Sequence, residues 1–158
     1  TPWHQDGQYW PIRPLATCTV WLAIDDANVE NGCLRFIKGS HKEKKLKNHN
    51  INDNKNLTLN QELDESEYNE KDAVNLILKR GQISLHDVYL VHGSEANNSS
   101  MARRAITMRF MPTSSVFDHQ MVKDKNLFSK LNASKYQDRK IYHMRGRDIS
   151  GKNNLTYT

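Results

Sequence analysis

Residues 3–7 of the chain read Trp3-His4-Gln5-Asp6-Gly7 and place an imidazole and a carboxylate two positions apart. Successive side chains of a β-strand point to opposite faces, so His4 and Asp6 would share one face. With a second histidine, such a pair completes the 2-His-1-carboxylate set that binds Fe(II) and leaves several coordination positions open. The stretch therefore predicts a strand that carries two thirds of a metal site.

The spacing alone is not specific. The chain has seven histidines, and His41-Lys42-Glu43 offers a second pair of the same kind. That second pair opens a Lys-rich run, which is typical of a solvated surface. A metal site at residues 4 and 6 therefore needs support from the rest of the sequence.

Composition indicates one globular domain over residues 1–158. Apolar residues make up 37 % of the chain and charged residues 26 %, and no run approaches the roughly 18 apolar residues of a membrane span. Cys18 and Cys33 lie in apolar segments, which favours two buried thiols in a reducing compartment over a disulfide. We expect a cytoplasmic protein, although no targeting signal can be judged in a chain that opens on Thr1-Pro2.

The net charge of +5 permits a nucleic acid or an anionic small molecule as partner. The basic residues are scattered, however, and few aromatic residues lie among them to form a stacking surface. We therefore expect a small-molecule substrate, with no nucleic acid and no membrane as partner.

Short apolar, β-branched segments dominate the pattern, and no helical segments alternate with them. This favours an antiparallel sandwich or barrel over a parallel α/β sheet. The predicted strands and strand-like apolar segments are 16–24, 33–37, 73–78, 83–85, 88–91 and 103–111, with short helices at 60–68 and 123–131. The first strand is apolar on both faces, which predicts cover on both sides.

Two segments are mainly polar. Residues 42–71 are rich in Lys, Asn, Asp and Glu, and such a segment cannot bury enough surface to offset its ordering entropy by itself. It predicts a surface insertion that is mobile at least in part, and residues 132–158 predict a basic tail.

A candidate for the second histidine ligand is His92, which follows the apolar run 88–91 and precedes Gly93. It would lie at a strand end, where a barrel has its mouth. Arg103 lies eleven residues further on, and an arginine fork suits the distal carboxylate of a 2-oxo acid bound to Fe(II). Ser94 could donate to the same carboxylate. For His92 alone, a hydrogen-bonded core histidine remains the alternative.

Several motifs occur together in a fixed order. The chain resembles the phytanoyl-CoA dioxygenase family of Fe(II)- and 2-oxoglutarate-dependent oxygenases, which have a double-stranded β-helix (jelly-roll, cupin-like) fold. The residues that carry the resemblance are WHQD at 3–6, Tyr9, Pro11, Arg13-Pro14, Trp21, Ala23, NGCL at 31–34, GSHK at 39–42, HGS at 92–94, Arg103 and Ala105-Ile106.

The resemblance implies a hydroxylase that uses O2 and converts 2-oxoglutarate to succinate and CO2 while it hydroxylates an unactivated C–H bond of a small organic molecule. Relatives that halogenate have a small residue at the position of Asp6, so the carboxylate favours hydroxylation. The implied metal-binding and catalytic residues are His4, Asp6 and His92. The residues implied for 2-oxoglutarate are Arg103, Ser94 and Trp21, with Arg104 as a competitor for Arg103.

Substrate contacts are expected from Gln8, Tyr9, Trp10 and Arg13, because these residues follow the metal motif directly. Ordinary packing is the alternative for the two aromatic residues, and a structural Arg-Pro corner is the alternative for Arg13. His86 is expected to be a hydrogen-bonded interior residue, with proton transfer as its alternative role.

Family members carry an N-terminal portion before the His-x-Asp motif, and we expect that portion to be missing from this chain. The strand 103–111 would then be an exposed edge, and Ile106, Met108 and Phe110 would lose their cover. We expect a fragment, a homodimer that covers these residues, or a poorly stable chain. A non-catalytic cupin-like metal or small-molecule binding module and a zinc hydrolase remain alternative functions.

Overall fold

The computed structural model describes residues 1–123, 136 and 138–157, and these residues form short β-strands and single-turn 3-10 helices. The strands are β1 (Ile12–Arg13), β2 (Cys18–Ala23), β3 (Leu34–Ile37), β4 (His49–Ile51), β5 (Gln61–Leu63), β6 (Ala73–Leu76), β7 (Ile83–Asp87), β8 (His92–Ser94), β9 (Ala105–Phe110), β10 (Val116–Phe117), β11 (Ile141–Tyr142) and β12 (Leu155–Thr156). The 3-10 helices span Asp6–Gln8, Ser40–Glu43, Glu65–Glu67, Glu70–Asp72 and Met121–Lys123.

The chain divides into two compact units. The first comprises Thr1–Gln8 and Cys18–Phe110, and the second comprises Tyr9–Thr17 and Met111–Thr158. The single domain expected over residues 1–158 stays a prediction.

Two three-stranded antiparallel sheets form most of the first unit, which also contains the pair β4–β5. Their strand orders are β7-β2-β9 and β6-β3-β8. Trp21 and Ala23 from one sheet and Cys33 and Leu34 beside the other belong to one buried cluster, so the core lies between the two sheets. The predicted mainly β, antiparallel class is confirmed, although the described strands do not close into a barrel.

Strand β2 alternates between buried and accessible residues. Thr19, Trp21 and Ala23 face the core, whereas Cys18 is exposed and the intervening Val20 and Leu22 are half-buried. The prediction that both faces of this segment are covered is therefore wrong. The prediction that both thiols are buried is also wrong, because Cys33 is buried and Cys18 is exposed. A continuous apolar run does not reveal whether anything packs on its second face.

Strand β9 lies at the edge of its sheet, as predicted. Its outer face carries Ile106, Met108 and Phe110, which are 49 %, 38 % and 42 % exposed. Across the same face, Ile83 and Leu85 of β7 are also exposed. The homodimer expected to cover this surface stays a prediction.

The polar segment 42–71 is more structured than its composition suggests. Strands β4 and β5 pair in antiparallel fashion, and Leu63 is buried against Ile37 and Val91. The helix predicted over 60–68 is wrong at its start, because Gln61–Leu63 is a strand whose alternate side chains are buried. A single-turn 3-10 helix follows at Glu65–Glu67.

The second unit pairs β1 with β10 in antiparallel fashion and β11 with β12 in parallel fashion. Trp10, Ile12 and Phe117 form its buried cluster. The helix predicted over 123–131 lies outside the described residues except for its first position. Among the described residues, no helix has the length and apolar character needed to cross a membrane.

Candidate metal centre

His4 and His92, the first residue of β8, lie side by side in a backbone bridge. His4 and His92 exchange hydrogen bonds between their amide and carbonyl groups, at 2.9 and 3.0 Å. The sequence predicted that Asp6 lies in a strand, and this prediction is wrong. Asp6 begins a 3-10 helix in which the Gln8 amide donates to the Gln5 carbonyl at 3.2 Å. The turn still directs the Asp6 carboxylate to the two imidazoles.

Three donor atoms converge in this arrangement. Oδ1 of Asp6 lies 3.6 Å from Nε2 of His4 and 3.9 Å from Nε2 of His92. All three ligand atoms lie within 4.8 Å of one another, and all three residues are buried. A histidine pair with one carboxylate on one side of a cavity is the donor set of a facial Fe(II) site.

Backbone carbonyls fix the ring orientation of both histidines on the side away from the cluster. Nδ1 of His4 donates to the Pro2 carbonyl at 2.9 Å, and Nδ1 of His92 donates to the Leu90 carbonyl at 2.8 Å. A carbonyl can only accept, so the proton lies on Nδ1 and the lone pair of Nε2 faces the cluster. Such backing is typical of metal-binding histidines. The residues present therefore fit a divalent metal.

Burial also sets the protonation states. Burial lowers the pKa of His92 to about 3, so its imidazole is neutral at physiological pH. Burial disfavours the charged form of Asp6, but the positive Arg109 guanidinium that donates to its Oδ2 outweighs this effect and holds its pKa well below the usual value. A neutral imidazole beside an ionised carboxylate is the state that metal binding requires.

Gln5, between the two ligands, is completely buried and is a functional neighbour that the sequence did not reveal. Its amide nitrogen donates to the carbonyls of Lys45 (3.0 Å) and Tyr89 (2.7 Å), and its amide oxygen accepts from the Lys47 amide (2.7 Å). Its backbone amide donates to Nε2 of His49 at 3.0 Å. The polar segment thus contacts the metal motif directly, and it is not simply a surface insertion.

A second group of polar residues surrounds the other oxygen of Asp6. Oδ2 accepts from the Thr19 hydroxyl at 3.1 Å and from the Arg109 guanidinium, and Nε2 of His86 lies 4.0 Å away. Burial lowers the pKa of His86 to about 4. His86 is interior, as predicted, but its Nδ1 is buried with no hydrogen-bond partner among the described residues, so the predicted hydrogen bonding is wrong for that atom.

The residues implied for 2-oxoglutarate are partly brought together. The Arg103 guanidinium carbon lies 5.9 Å from the ring centroid of Trp21, and its buried Nε has no hydrogen-bond partner among the described residues. Ser94 and Arg103 line one cleft of about 490 Å³ that does not include the three donor residues in its lining. An arginine nitrogen buried without an acceptor is the kind of donor that a carboxylate ligand would satisfy.

Arg104, the competitor, is engaged elsewhere. Its Nε and one terminal nitrogen donate to the two oxygens of Asp25, each at 2.8 Å, on the exposed surface. Strand β9 begins only at Ala105, so both arginines precede the strand that they were predicted to open. Similarly, residues 88–91 form a turn, and His92 begins β8 where the sequence predicted that it follows a strand.

The residues expected to contact substrate divide between the two units. Gln8 belongs to the first unit, where it ends the 3-10 helix Asp6–Gln8 and is half-buried. In the second unit, Trp10 packs with Ile12 and Phe117, and Arg13 donates to the carbonyls of Trp10 (3.2 Å) and Ile12 (2.7 Å). These contacts favour the packing alternative for Trp10 and the structural corner for Arg13. Tyr9 packs against the same cluster.

The phytanoyl-CoA dioxygenase family model matches residues 1–105, which include all three donor residues, Ser94 and Arg103. The chain belongs to this family. It is 36 % identical over 110 residues to a phytanoyl-CoA dioxygenase domain-containing protein 1 homolog of Dictyostelium discoideum, with 68 % of this chain and 39 % of the relative covered. It is 34 % identical over 116 residues to the peroxisomal phytanoyl-CoA dioxygenase of Homo sapiens, with 69 % and 32 % covered.

A solved structure of the same architecture is EvdO2 from Micromonospora carbonacea var. aurantiaca, complexed with 2-oxoglutarate. It matches with a TM-score of 0.59 and 29 % identity, over 69 % of this chain and 44 % of that protein. This match agrees with the jelly-roll prediction for the fold. The chain spans about a third to two fifths of the length of these two curated family relatives.

Proposed function

We propose that the chain carries the metal site of an Fe(II)- and 2-oxoglutarate-dependent oxygenase. The observation that supports this most directly is the buried cluster of His4, Asp6 and His92, with both histidine rings oriented by backbone carbonyls. Membership of the phytanoyl-CoA dioxygenase family and the likeness to a 2-oxoglutarate complex support the same function.

Each ligand residue has a defined role in this proposal. His4 and His92 present Nε2 lone pairs, and Asp6 adds one negative charge through Oδ1, which leaves positions open for a bidentate 2-oxo acid and O2. When bound, iron and 2-oxoglutarate supply the oxidising chemistry, with succinate and CO2 as products. The chain's own residues hold the ligands rigid and exclude water, since all three are buried.

Arg103 is proposed to bind the distal carboxylate of 2-oxoglutarate, with Ser94 as a second donor and Trp21 beside them. Its buried Nε has no partner within the described part of the chain, and this atom and the contact with the Trp21 ring support the role. Arg104 is less suited to it because its Nε and one terminal nitrogen already donate to Asp25. An arginine bound to a carboxylate through charge-assisted hydrogen bonds contributes about 1.5–3 kcal/mol, or roughly 10- to 100-fold in affinity.

We propose hydroxylation of an unactivated C–H bond in a small organic molecule as the reaction. The carboxylate at residue 6 supports hydroxylation over halogenation, because it occupies the coordination position that a halide would need. A cytoplasmic location also stays a proposal, and the human relative is named as a peroxisomal protein. Fluorescence microscopy of a tagged full-length protein tests it, and enrichment in peroxisomes would contradict it.

An anaerobic titration tests the cofactor proposal. Adding Fe(II) and then 2-oxoglutarate to the protein is expected to produce the metal-to-ligand charge-transfer band of a chelated 2-oxo acid, followed by succinate release on adding O2. Absence of the band would refute the oxygenase proposal. A band without succinate, even with a panel of small-molecule substrates, would favour the cupin-like binding module.

Three variants make the titration specific. His92→Ala is expected to abolish Fe(II) binding, and His41→Ala serves as its control because His41 belongs to the unsupported His-x-Glu pair on a partly exposed 3-10 helix. Arg103→Ala is expected to weaken 2-oxoglutarate binding by roughly 10- to 100-fold without loss of Fe(II) affinity. An unchanged 2-oxoglutarate affinity would refute the assignment of Arg103.

A further inference from the structure

The two carboxylate oxygens of Asp6 contact different groups. Oδ1 faces Nε2 of His4 at 3.6 Å and Nε2 of His92 at 3.9 Å. Oδ2 faces the opposite way, where it accepts hydrogen bonds from Thr19 and Arg109. One oxygen is thus directed to the metal position, and the other is held by the sheet.

Arg109 reaches Asp6 from β9 because of the strand register. Thr19 of β2 pairs with Arg109 of β9, so the two side chains lie next to each other on the inner face of the sheet. Nε of Arg109 donates to the Thr19 hydroxyl at 3.0 Å while a terminal nitrogen donates to Asp6. The Thr19 hydroxyl in turn donates to Asp6 at 3.1 Å. The three groups close a ring of hydrogen bonds.

Burial makes this contact strong. The side chains of Arg109 and Asp6 are 16 % and 3 % exposed, so solvent screens their attraction far less than on the surface. A planar guanidinium can donate in two directions at once, which an ammonium group cannot do in the same geometry. The contact therefore fixes the rotation of the carboxylate as well as its charge.

Rotation of this carboxylate matters for a facial metal site. A carboxylate that binds through one oxygen leaves three of six positions open, whereas one that binds through both oxygens removes a position that a co-substrate needs. We propose that Arg109 is a positioning residue that holds Asp6 through Oδ2, so that the carboxylate binds a metal only through Oδ1. This inference rests on the proposed metal site and names a residue that acts through Asp6.

Co(II) is the probe, because its visible absorption reports coordination number directly and needs no turnover. Arg109→Gln is expected to weaken Co(II) binding about 10- to 100-fold, the usual effect of removing a residue that supports a ligand. At saturating Co(II), its visible spectrum should differ from that of the native protein, because a second carboxylate oxygen would replace a solvent ligand. Arg109→Lys should recover part of the affinity but not the native spectrum, since Lys cannot serve Thr19 and Asp6 together.

Arg104→Gln is the matched control. It removes the same charge five residues before Arg109 but none of the site contacts, because the exposed Arg104 pairs with Asp25. Native Co(II) affinity and spectrum are expected for it. If Arg104→Gln weakens binding as much as Arg109→Gln, the effect is one of net charge and the inference is refuted.

The outcomes separate this inference from the proposed function. Failure of the native protein to bind Co(II) or Fe(II) would refute the metal site itself. Native affinity and spectrum in a folded Arg109→Gln protein would refute only the role of Arg109. If Arg109→Gln does not fold, Thr19→Val removes the second donor to Oδ2 with little change in shape. An altered Co(II) spectrum in Thr19→Val would then support the inference, and a native one would refute it.

Discussion

Replacement of Gln5 by leucine is expected to destabilise the protein markedly. The side chain is completely buried and makes three hydrogen bonds, to Lys45, Tyr89 and Lys47. At about 1 kcal/mol net for each bond, Gln5→Leu should lower the free energy of unfolding by about 3 kcal/mol. That is a large part of the roughly 5–15 kcal/mol that stabilises a typical domain.

Gln61 provides a control with the same substitution and the opposite expectation. Gln61 is 2 % exposed, but neither its amide nitrogen nor its amide oxygen has a hydrogen-bond partner among the described residues. Gln61→Leu removes two unpaired polar atoms from the interior, so it should leave stability unchanged or raise it by about 1 kcal/mol. The two variants differ in hydrogen bonding and not in volume or polarity.

Urea unfolding monitored by tryptophan fluorescence, in the presence of a chelator, measures both variants without metal. A metal titration of Gln5→Leu should also show weaker binding, because Gln5 lies between two ligands. A loss of less than about 1 kcal/mol in Gln5→Leu, or equal effects of the two substitutions, would refute the claim that segment 45–47 is anchored through this amide.

Three further outcomes are expected. Because burial lowers the pKa of His86 to about 4, the unfolded chain takes up a proton below about pH 6.5 that the folded chain does not. The metal-free protein should therefore lose about 2 kcal/mol from this residue between pH 6.5 and 5, and His86→Phe should show a correspondingly shallower pH dependence in thermal melts. Sedimentation should reveal a dimer that Phe110→Ser dissociates, and a stable monomer would contradict it. A divalent metal at 100 times its Kd should stabilise the native protein by about 2.7 kcal/mol, reversibly with chelator, and should not stabilise His92→Ala.

Much of the candidate site could be predicted from the order of its residues in the sequence, although their roles stay predictions. His4, Asp6, His92 and Arg103 lie at spacings that distinguish them from the unsupported pair at His41. The class of fold was also predictable, since short apolar segments without alternating helices favour antiparallel sheets. These features depend on local pattern and on spacing along the chain.

The residues that support the site could not be predicted in the same way. Arg109 reaches Asp6 only because β9 pairs with β2 in one register, and a register is a property of two distant strands. Gln5 contacts residues about forty positions away, and its neighbours in sequence do not indicate burial. The polar composition of 42–71 predicted a solvated segment, whereas hydrogen bonds to Gln5 and the burial of Leu63 fix part of it in place.

The hydrogen bonds between the polar segment 42–71 and Gln5 determine where the chain tolerates insertions and deletions. Residues 53–55 are exposed between β4 and β5 and lie outside the anchoring positions 45–49, so an affinity tag or a fluorophore can be inserted there. Deleting residues 45–49 would instead remove three hydrogen-bond partners of Gln5. These are the Lys45 carbonyl, the Lys47 amide and the His49 ring. A deletion designed for crystallisation should therefore spare residues 45–49, because they pack behind the metal motif, and should be confined to the exposed loop between β4 and β5.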